Sequence, residues 1–531
     1  MAIEVEIRGM TCDSCASHVE RALARAGAER ADVDWRTGRA RVEAATLDEN
    51  ELERALADTR YRLERITRLR PPERNGGRAS YDYDLVVIGS GGGAFAGAIR
   101  ARDLGRSVLM VESGTIGGTC VNVGCVPSKR LLVSSASARV AGTPALAEAV
   151  PTKAALVDEL RQKKYVDLLD GYGIEFRAAD ARLAGPHVVI VDGEEVTGEA
   201  ILVATGARPA VPDVAGLDGA GFLTSTTALE LDAVPERLAV LGAGPVGLEL
   251  GQMLGNFGSA VTFLGRRDVV PAAEPEIREA LREALEADGH RVIAPAAVDE
   301  IALESSGKVI RGSAAGQRFE LQVDEILVAT GRVPNAESLG LEDIGVERDS
   351  SGAITVDAEQ HTSVPSVYAA GDVTTQPRFV YVAAAGGAAA AENAFGDGEA
   401  RLDFAALPQI VFTEPALAQA GSTEADARAA GFEIETAILP LTAVPRALVN
   451  GDTRGLFKLV AEAGSGRMLG ASILAEGAPD AIQAAVIAID RGMTVRELAS
   501  GWAPYLAMAE GLKLAAQTFD RDVARLSCCA A

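Results

Sequence analysis

The sequence predicts an α/β protein. It has two parallel-sheet units, each opening with a strand, a glycine-rich turn and a helix, then a C-terminal α+β unit, all preceded by a small βαββαβ unit. Three observations predict this. A run of buried-strand residues leads into G-x-G-x-x-(G/A) twice, at Gly89–Ala94 and at Gly242–Gly247. The texture changes at Tyr81, after the Pro-, Gly- and charge-rich stretch LRPPERNGGRAS. The 6 cysteines fall into three local pairs: Cys12/Cys15, Cys120/Cys125 and Cys528/Cys529.

Size and charge bound the reading. A chain of 531 residues is roughly three to four domains. It is 48% hydrophobic and 24% charged, ordinary for a folded protein. The net charge of −24 argues against nucleic acid or an anionic membrane as partner. Residues 1–70 are close to neutral, so the acidity lies downstream. No run reaches the roughly 18 apolar residues of a membrane span; the longest, Val380 to Ala391, is mostly Ala and Gly. MAIEVEIR lacks a basic region followed by an apolar stretch, so the expected location is the cytoplasm. Thiols are kept reduced there unless they have a redox or metal task.

The leading unit is expected over residues 1–68. Ile3, Val5 and Ile7 alternate as a strand, and Ser14 to Ala26 has helical spacing. Ala31–Trp35 and Arg39–Glu43 flank the turn at Thr37-Gly38. Asp48 to Thr59 reads as a second helix and Leu63 to Arg68 as a closing strand, which is the ferredoxin-like order. Residues 69–80 read as a flexible linker.

Strand Asp84–Ile88 runs into Gly89, Gly91 and Ala94. Such glycines allow a tight turn and bring backbone close to a pyrophosphate at a helix N-terminus. Glu112 ends the next strand, 23 residues after Gly89, where an acid can bond a ribose hydroxyl. Strand Leu238–Leu241 repeats the pattern into Gly242, Gly244 and Gly247. There the corresponding position is Gly265, followed by Arg266 and Arg267. A missing carboxylate with two cations suits the 2′-phosphate of NADPH. Ile201–Gly206 and Ile326–Gly331 are near copies that close the two units alike, and Gly331 joins the expected nucleotide contacts. Beyond residue 400, strands Gln409–Phe412, Leu456–Ala461 and Leu469–Leu474 alternate with helices Asp480–Arg491 and Ala507–Phe519.

Between the fingerprints lies GGTCVNVGCVPSK. Cys120-x4-Cys125 is the wrong spacing for a usual zinc half-site. Pro127 belongs in a first helical turn, so a helix should begin near Cys125. A thiol at a helix N-terminus is biased to thiolate, the form that attacks, transfers charge and binds metal.

At this segment the chain resembles the flavin-dependent pyridine nucleotide–disulfide oxidoreductases, over about residues 81–531. TSVPSVYAAGD, ending in Asp372, resembles their second flavin motif. The resemblance implies two Rossmann-like dinucleotide-binding domains: an FAD domain in two parts, 81–230 and 351–400, and an NADPH domain at 231–350. It also implies a dimerisation domain at 401–531. By the same resemblance, Cys120 and Cys125 form a redox-active disulfide. Asp372 bonds the flavin ribityl chain and Lys129 lies near the ring. Gly114, Thr119 and Ala181 belong to adenine-side loops, and Val380 is a further FAD contact.

Two departures bear on the electron acceptor. Disulfide reductases of this family carry a His-Pro segment near the C-terminus, whose His serves a thiol leaving group. Here the stretch reads Trp502-Ala503-Pro504-Tyr505, and the four histidines, His18, His187, His290 and His361, are elsewhere in sequence. The chain also ends in LSCCAA. Vicinal thiols make a strained bridge but an easy hand for a soft metal ion. Together these features are similar to the Hg(II)-reducing members of the family. That implies Hg(II) as substrate, a homodimer with a shared site, Tyr165 and Tyr505 as active-site tyrosines, and delivery by Cys528 and Cys529 to Cys120 and Cys125. Gly9-Met10-Thr11-Cys12-Asp13-Ser14-Cys15 resembles a heavy-metal-associated domain, with Cys12 and Cys15 as ligands and metal-delivery proteins as possible partners. A thioredoxin-reductase-like enzyme and a non-enzymatic metal store are the rival readings.

Overall fold

Alternation at Val5 and Ile7 and helical spacing at Val19 and Leu23 bury one apolar layer between a sheet and a helix. In the computed structural model this is the leading unit, residues 1–80; a second unit spans 81–531. The structure describes residues 2–8, 13–26, 28, 30–34, 39–43, 54–55, 61–69, 81–305 and 307–522. Cys12, Cys528, Cys529, most of the expected linker and most of the expected helix 48–59 lie outside the described residues; 54 and 55 are helical.

The leading unit has antiparallel strands Ala2–Arg8, Arg30–Asp34, Arg39–Glu43 and Arg62–Leu69, in spatial order second, third, first, fourth. Helix Asp13–Arg25, which contains Cys15, covers them. The last strand runs one residue further than expected, because Leu69 pairs with Ala2.

In the larger unit, strand Tyr83–Ile88 lies between Val108–Glu112 and Glu194–Val203, parallel to both. Val367–Ala369 adds to the same sheet beside Ile201–Val203, so chain from both sides of the second fingerprint shares one core. A second, five-stranded parallel sheet is centred on Arg237–Leu241, with Glu325–Val328 and Ala260–Leu264 beside it. Such fully buried parallel strands read as continuous apolar runs, as VLMV and LAVL do. The two near-identical segments ending in Gly206 and Gly331 continue into Ala207–Pro209 and Arg332–Pro334, which pair as an antiparallel ribbon. The C-terminal sheet is five-stranded and antiparallel, with helix Ala478–Asp490 against it.

The last helix, expected over 507–519, is shorter: Glu510–Gln517. Residues before it stay in a loop. Leu506 adopts φ +60°, and its N–H donates to the Glu510 carboxylate at 3.3 Å, so the chain turns before the helix starts.

The second parallel sheet and the C-terminal sheet are joined by a buried cation. Lys458 Nζ lies 3.1 Å from Glu274, 2.9 Å from Glu276 and 3.0 Å from Glu424. Lys458 and Glu274 are 1% and 2% exposed, so neither can turn to solvent. Replacing Lys458 by Met leaves a carboxylate buried without its cation, which costs about 3 kcal/mol. Urea denaturation followed by circular dichroism should show that loss; an unchanged midpoint would mean the cluster is not what holds the two sheets together.

Candidate active site

The two glycine turns are built as close backbone approaches. Gly89 has φ +110°, and a Cβ there would lie 2.4 Å from the Ala204 carbonyl oxygen. Gly91 caps helix Gly92–Asp103, and Ala94 is buried in its first turn. Glu112 accepts hydrogen bonds from Ser90 Oγ and the Gly114 N–H, both at 2.7 Å. Gly89, Glu112 and Ala181 line one cavity of about 760 Å³ together with Asp180 and Asn335. A glycine cradle ending at a helix N-terminus beside a positioned carboxylate fits the adenosine diphosphate half of FAD.

Gly242, Gly244, Arg266, Arg267 and Gly331 line a second cavity, of about 770 Å³. Gly247 lies behind it, where a Cβ would meet the Gly242 carbonyl oxygen at 2.1 Å. Asp268, next in the chain, is engaged by Arg282 and Arg278. The exposed guanidinium groups of Arg266 and Arg267 therefore face the cavity mouth without that carboxylate bound to them.

The thiols sit where the two nucleotide units meet. Cys120 is in helix Gly118–Asn122, and Cys125 is the first residue of helix Cys125–Ala141, with Pro127 in its first turn. Both are free thiols. Gly118, at φ +64°, is packed so closely on the first fingerprint that a Cβ would lie 2.6 Å from Gly91 Cα. The thiol loop is thereby held against the first glycine turn. The Cys120 thiol hydrogen-bonds Cys125, and that bond, with burial, raises the Cys120 pKa. The same bond lowers Cys125 to about 7 against the opposing effect of burial, and the Lys129 ammonium adds to the lowering.

Several partners of this pair had no signal in the sequence. Lys129 is paired with buried Glu249 at 2.5 Å and lies 4.7 Å over the Phe412 ring. Glu249 comes from helix Pro245–Asn256, which starts at the second fingerprint, and also accepts from the Phe412 N–H at 2.9 Å. Asp372 faces Arg332 at 3.3 Å; burial pushes its carboxyl up, and Arg332 and Arg378 oppose this. Tyr381 donates to the Pro408 carbonyl oxygen and is pushed up to about 12, first by burial and then by Cys125. Its neighbour Val380 begins helix Val380–Phe395 beside Gly92. Thr119 lies 3.5 Å from Arg332. Glu249, Arg332, Tyr381 and Phe412 lie far along the chain from the thiols, so no local pattern announces them.

Tyr165 is brought to the pair. It lies on a π-helical turn, edge-on to Phe95 at 4.9 Å, and its phenol is raised first by burial and then by the two cysteines. Tyr505 is 61% exposed and lines neither cavity. His187 bonds the Gly198 carbonyl, His290 packs edge-on to Phe263 and His361 pairs with Asp357. None of these three is among the leading causes of either thiol's shift.

A fold of two nucleotide units around a thiol pair defines a nucleotide-dependent thiol oxidoreductase. The Pyridine nucleotide-disulphide oxidoreductase family matches residues 83–387, and its dimerisation domain matches 407–516; the chain belongs to this family. It is an oxidoreductase that uses FAD and NADPH, and it carries the family's dimerisation domain. The Heavy-metal-associated domain matches residues 4–62. The chain is 42% identical to a mercuric reductase of Staphylococcus aureus, over 99% of both chains. It is 46% identical to one of Streptomyces lividans, over 85% of this chain and 99% of that one. Among solved structures it is similar to RclA, an HOCl-induced flavoprotein disulfide reductase of Escherichia coli. The TM-score is 0.75 at 31% identity, over 82% of this chain and 99% of that one.

Two measurements check the site. With Cys12, Cys15, Cys528 and Cys529 replaced by Ala, iodoacetamide should alkylate one thiol of the reduced protein with a half-point near 7, and a half-point in the ordinary thiol range near 8.5 would remove the thiolate at Cys125. Replacing Arg266 and Arg267 together by Ala should raise KM for NADPH by about a hundredfold, at about tenfold per charged hydrogen bond lost, and leave KM for NADH within about threefold. Equal effects on both nucleotides would place the 2′-phosphate elsewhere.

Proposed function

We propose that this protein reduces Hg(II) to Hg(0) with electrons from NADPH. The observation that carries the reading is a lowered thiol at a helix N-terminus whose charge is set by a second thiol and a lysine, in a chain with Ala503 where an acid-base His would precede Pro504. A thiol leaving group needs an acid beside it. A soft metal ion needs only sulfur ligands. The similarity to the mercuric reductases named above supports the same reading.

The balance is simple. Hg(II) held by two thiolates takes two electrons and leaves as Hg(0); NADPH becomes NADP+, and one further proton gives two free thiols. FAD, when bound, supplies two-electron transfer between nicotinamide and the sulfur side. Gly89, Gly91, Ala94, Glu112, Gly114, Thr119 and Ala181 would hold its nucleotide half, and Lys129, Asp372 and Val380 its flavin half. Gly242, Gly244, Gly247 and Gly331 seat the NADPH pyrophosphate and ribose, with Arg266 and Arg267 on the 2′-phosphate. Cys120 and Cys125 bind the ion. Thiolate exchange at two-coordinate Hg(II) is fast because an incoming thiolate can bind before one departs.

In this reading Cys528 and Cys529 of one subunit pass the ion to the pair of the other, where Tyr165 and Tyr505 attend it. Cys12 and Cys15 take the ion from thiol carriers or from a delivery protein in the cytoplasm. Among the described residues no helix is long and apolar enough to cross a membrane.

The test uses the purified dimer. A yellow protein whose NADPH consumption rises with Hg(II), and not with oxidised glutathione or lipoamide, is the expected result. Stimulation by a disulfide would favour a thioredoxin-reductase-like enzyme, and a colourless protein would favour a metal store. The Cys528→Ala/Cys529→Ala variant should keep flavin reduction by NADPH and lose turnover with thiol-bound Hg(II); unchanged turnover removes the tail from the mechanism. Deleting residues 1–69 should leave turnover within about threefold, as expected of a module whose effect is delivery rather than chemistry.

A further inference from the structure

Tyr165 owes its place to an irregularity. Helix Leu146–Arg161 does not continue as an α-helix but passes into one π-helical turn, Gln162–Val166, before helix Asp167–Tyr172. A π turn is rare and inserts one residue, swinging the side chains beyond it by about 100° around the axis. Here it carries Tyr165 to the thiols. The ring lies over Gly117, where a Cβ would be 3.3 Å from it, so the backbone of the thiol loop is the floor on which Tyr165 rests.

The residue that closes the α-helix just before this turn is Arg161. Its Nη1 donates to Asn122 Oδ1 at 3.0 Å, and its Nη2 is paired with Asp158 one turn back. Asn122 stands between the two cysteines and ends the short helix that carries Cys120. Its amide nitrogen donates to the carbonyl oxygens of Ile116 and Gly118, both at 2.9 Å. One side chain thus ties the thiol loop to itself with its donor and to the Tyr165 helix with its acceptor. A charged donor to a neutral acceptor is a strong bond of this kind. The link joins two segments 39 residues apart.

We propose that Asn122 and Arg161 form a brace that sets the position of Tyr165 relative to Cys120 and Cys125, making both of them positioning residues for the metal step. The inference rests on the reading that Tyr165 acts on the bound ion. Without the brace the π turn can relax toward α-helix, and the phenol leaves the thiols while both nucleotide cavities stay intact.

The test uses the full-length holoenzyme. Arg161→Met keeps the aliphatic stem and removes the link, at a side chain that is 30% exposed. It should lower kcat with Hg(II) by about tenfold while flavin bleaching by NADPH in stopped flow stays within about twofold. Arg161→Lys should recover most of the loss. Arg161→Met combined with Tyr165→Phe should be no slower than Tyr165→Phe alone, because a misplaced hydroxyl and a missing one are the same defect. Arg161→Gln, too short to reach Asn122, gives the same test should the Met variant fail to fold. Wild-type turnover in Arg161→Met, or losses that multiply in the double variant, would overturn the brace while leaving Tyr165 in place. Wild-type turnover in Tyr165→Phe would overturn the role of Tyr165, and the brace with it.

Discussion

The hydrogen bond between Cys120 and Cys125 is the interaction on which the site depends. It divides the pair into one sulfur that keeps its proton and one that gives it up. Burial cannot make this division, since it raises both thiols. The helix that begins at Cys125 and the ammonium of Lys129 complete the bias. An ionised sulfur is the form that attacks, transfers charge and binds a soft ion.

That bond needs a rigid frame, and the frame comes from every part of the larger unit. Helix Cys125–Ala141 lies along helix Pro245–Asn256, tied to it by Lys129 to Glu249 at one end and by Asn256 to Ser135, at 3.4 Å, further along. The second helix also starts at the second glycine turn. The C-terminal unit adds the Phe412 ring under Lys129 and, through Pro408, the acceptor for Tyr381. Helix Cys125–Ala141, with a thiol as its first residue, is thus held by both the second nucleotide unit and the C-terminal unit.

The parts of this protein that were legible in sequence are those whose chemistry is local. Gly89 and Gly242 are read directly, because only glycine fits where a Cβ would strike the carbonyl of Ala204 or Ala329. The helix start at Cys125 follows from Pro127 two residues later. Glu249, Arg332 and Tyr381 were invisible for the opposite reason. Each looks like an ordinary helical, loop or helix-start residue until the fold brings Glu249 to Lys129, Arg332 to Asp372 and Tyr381 to the Cys125 thiol. The last helix was drawn too long because apolar spacing says nothing about Glu510 turning back to cap Leu506.

The sequence by itself determined the two nucleotide units, the order of the domains and the thiol pair, since each is written in contiguous residues whose backbone demands are strict. It also set the absence of a His at residue 503, where Ala stands. Tertiary structure alone decided which acid holds Lys129 and where Tyr165 points. Those are properties of distances between side chains far apart in the chain, and charge, burial and hydrogen bonding act through space and not along the backbone.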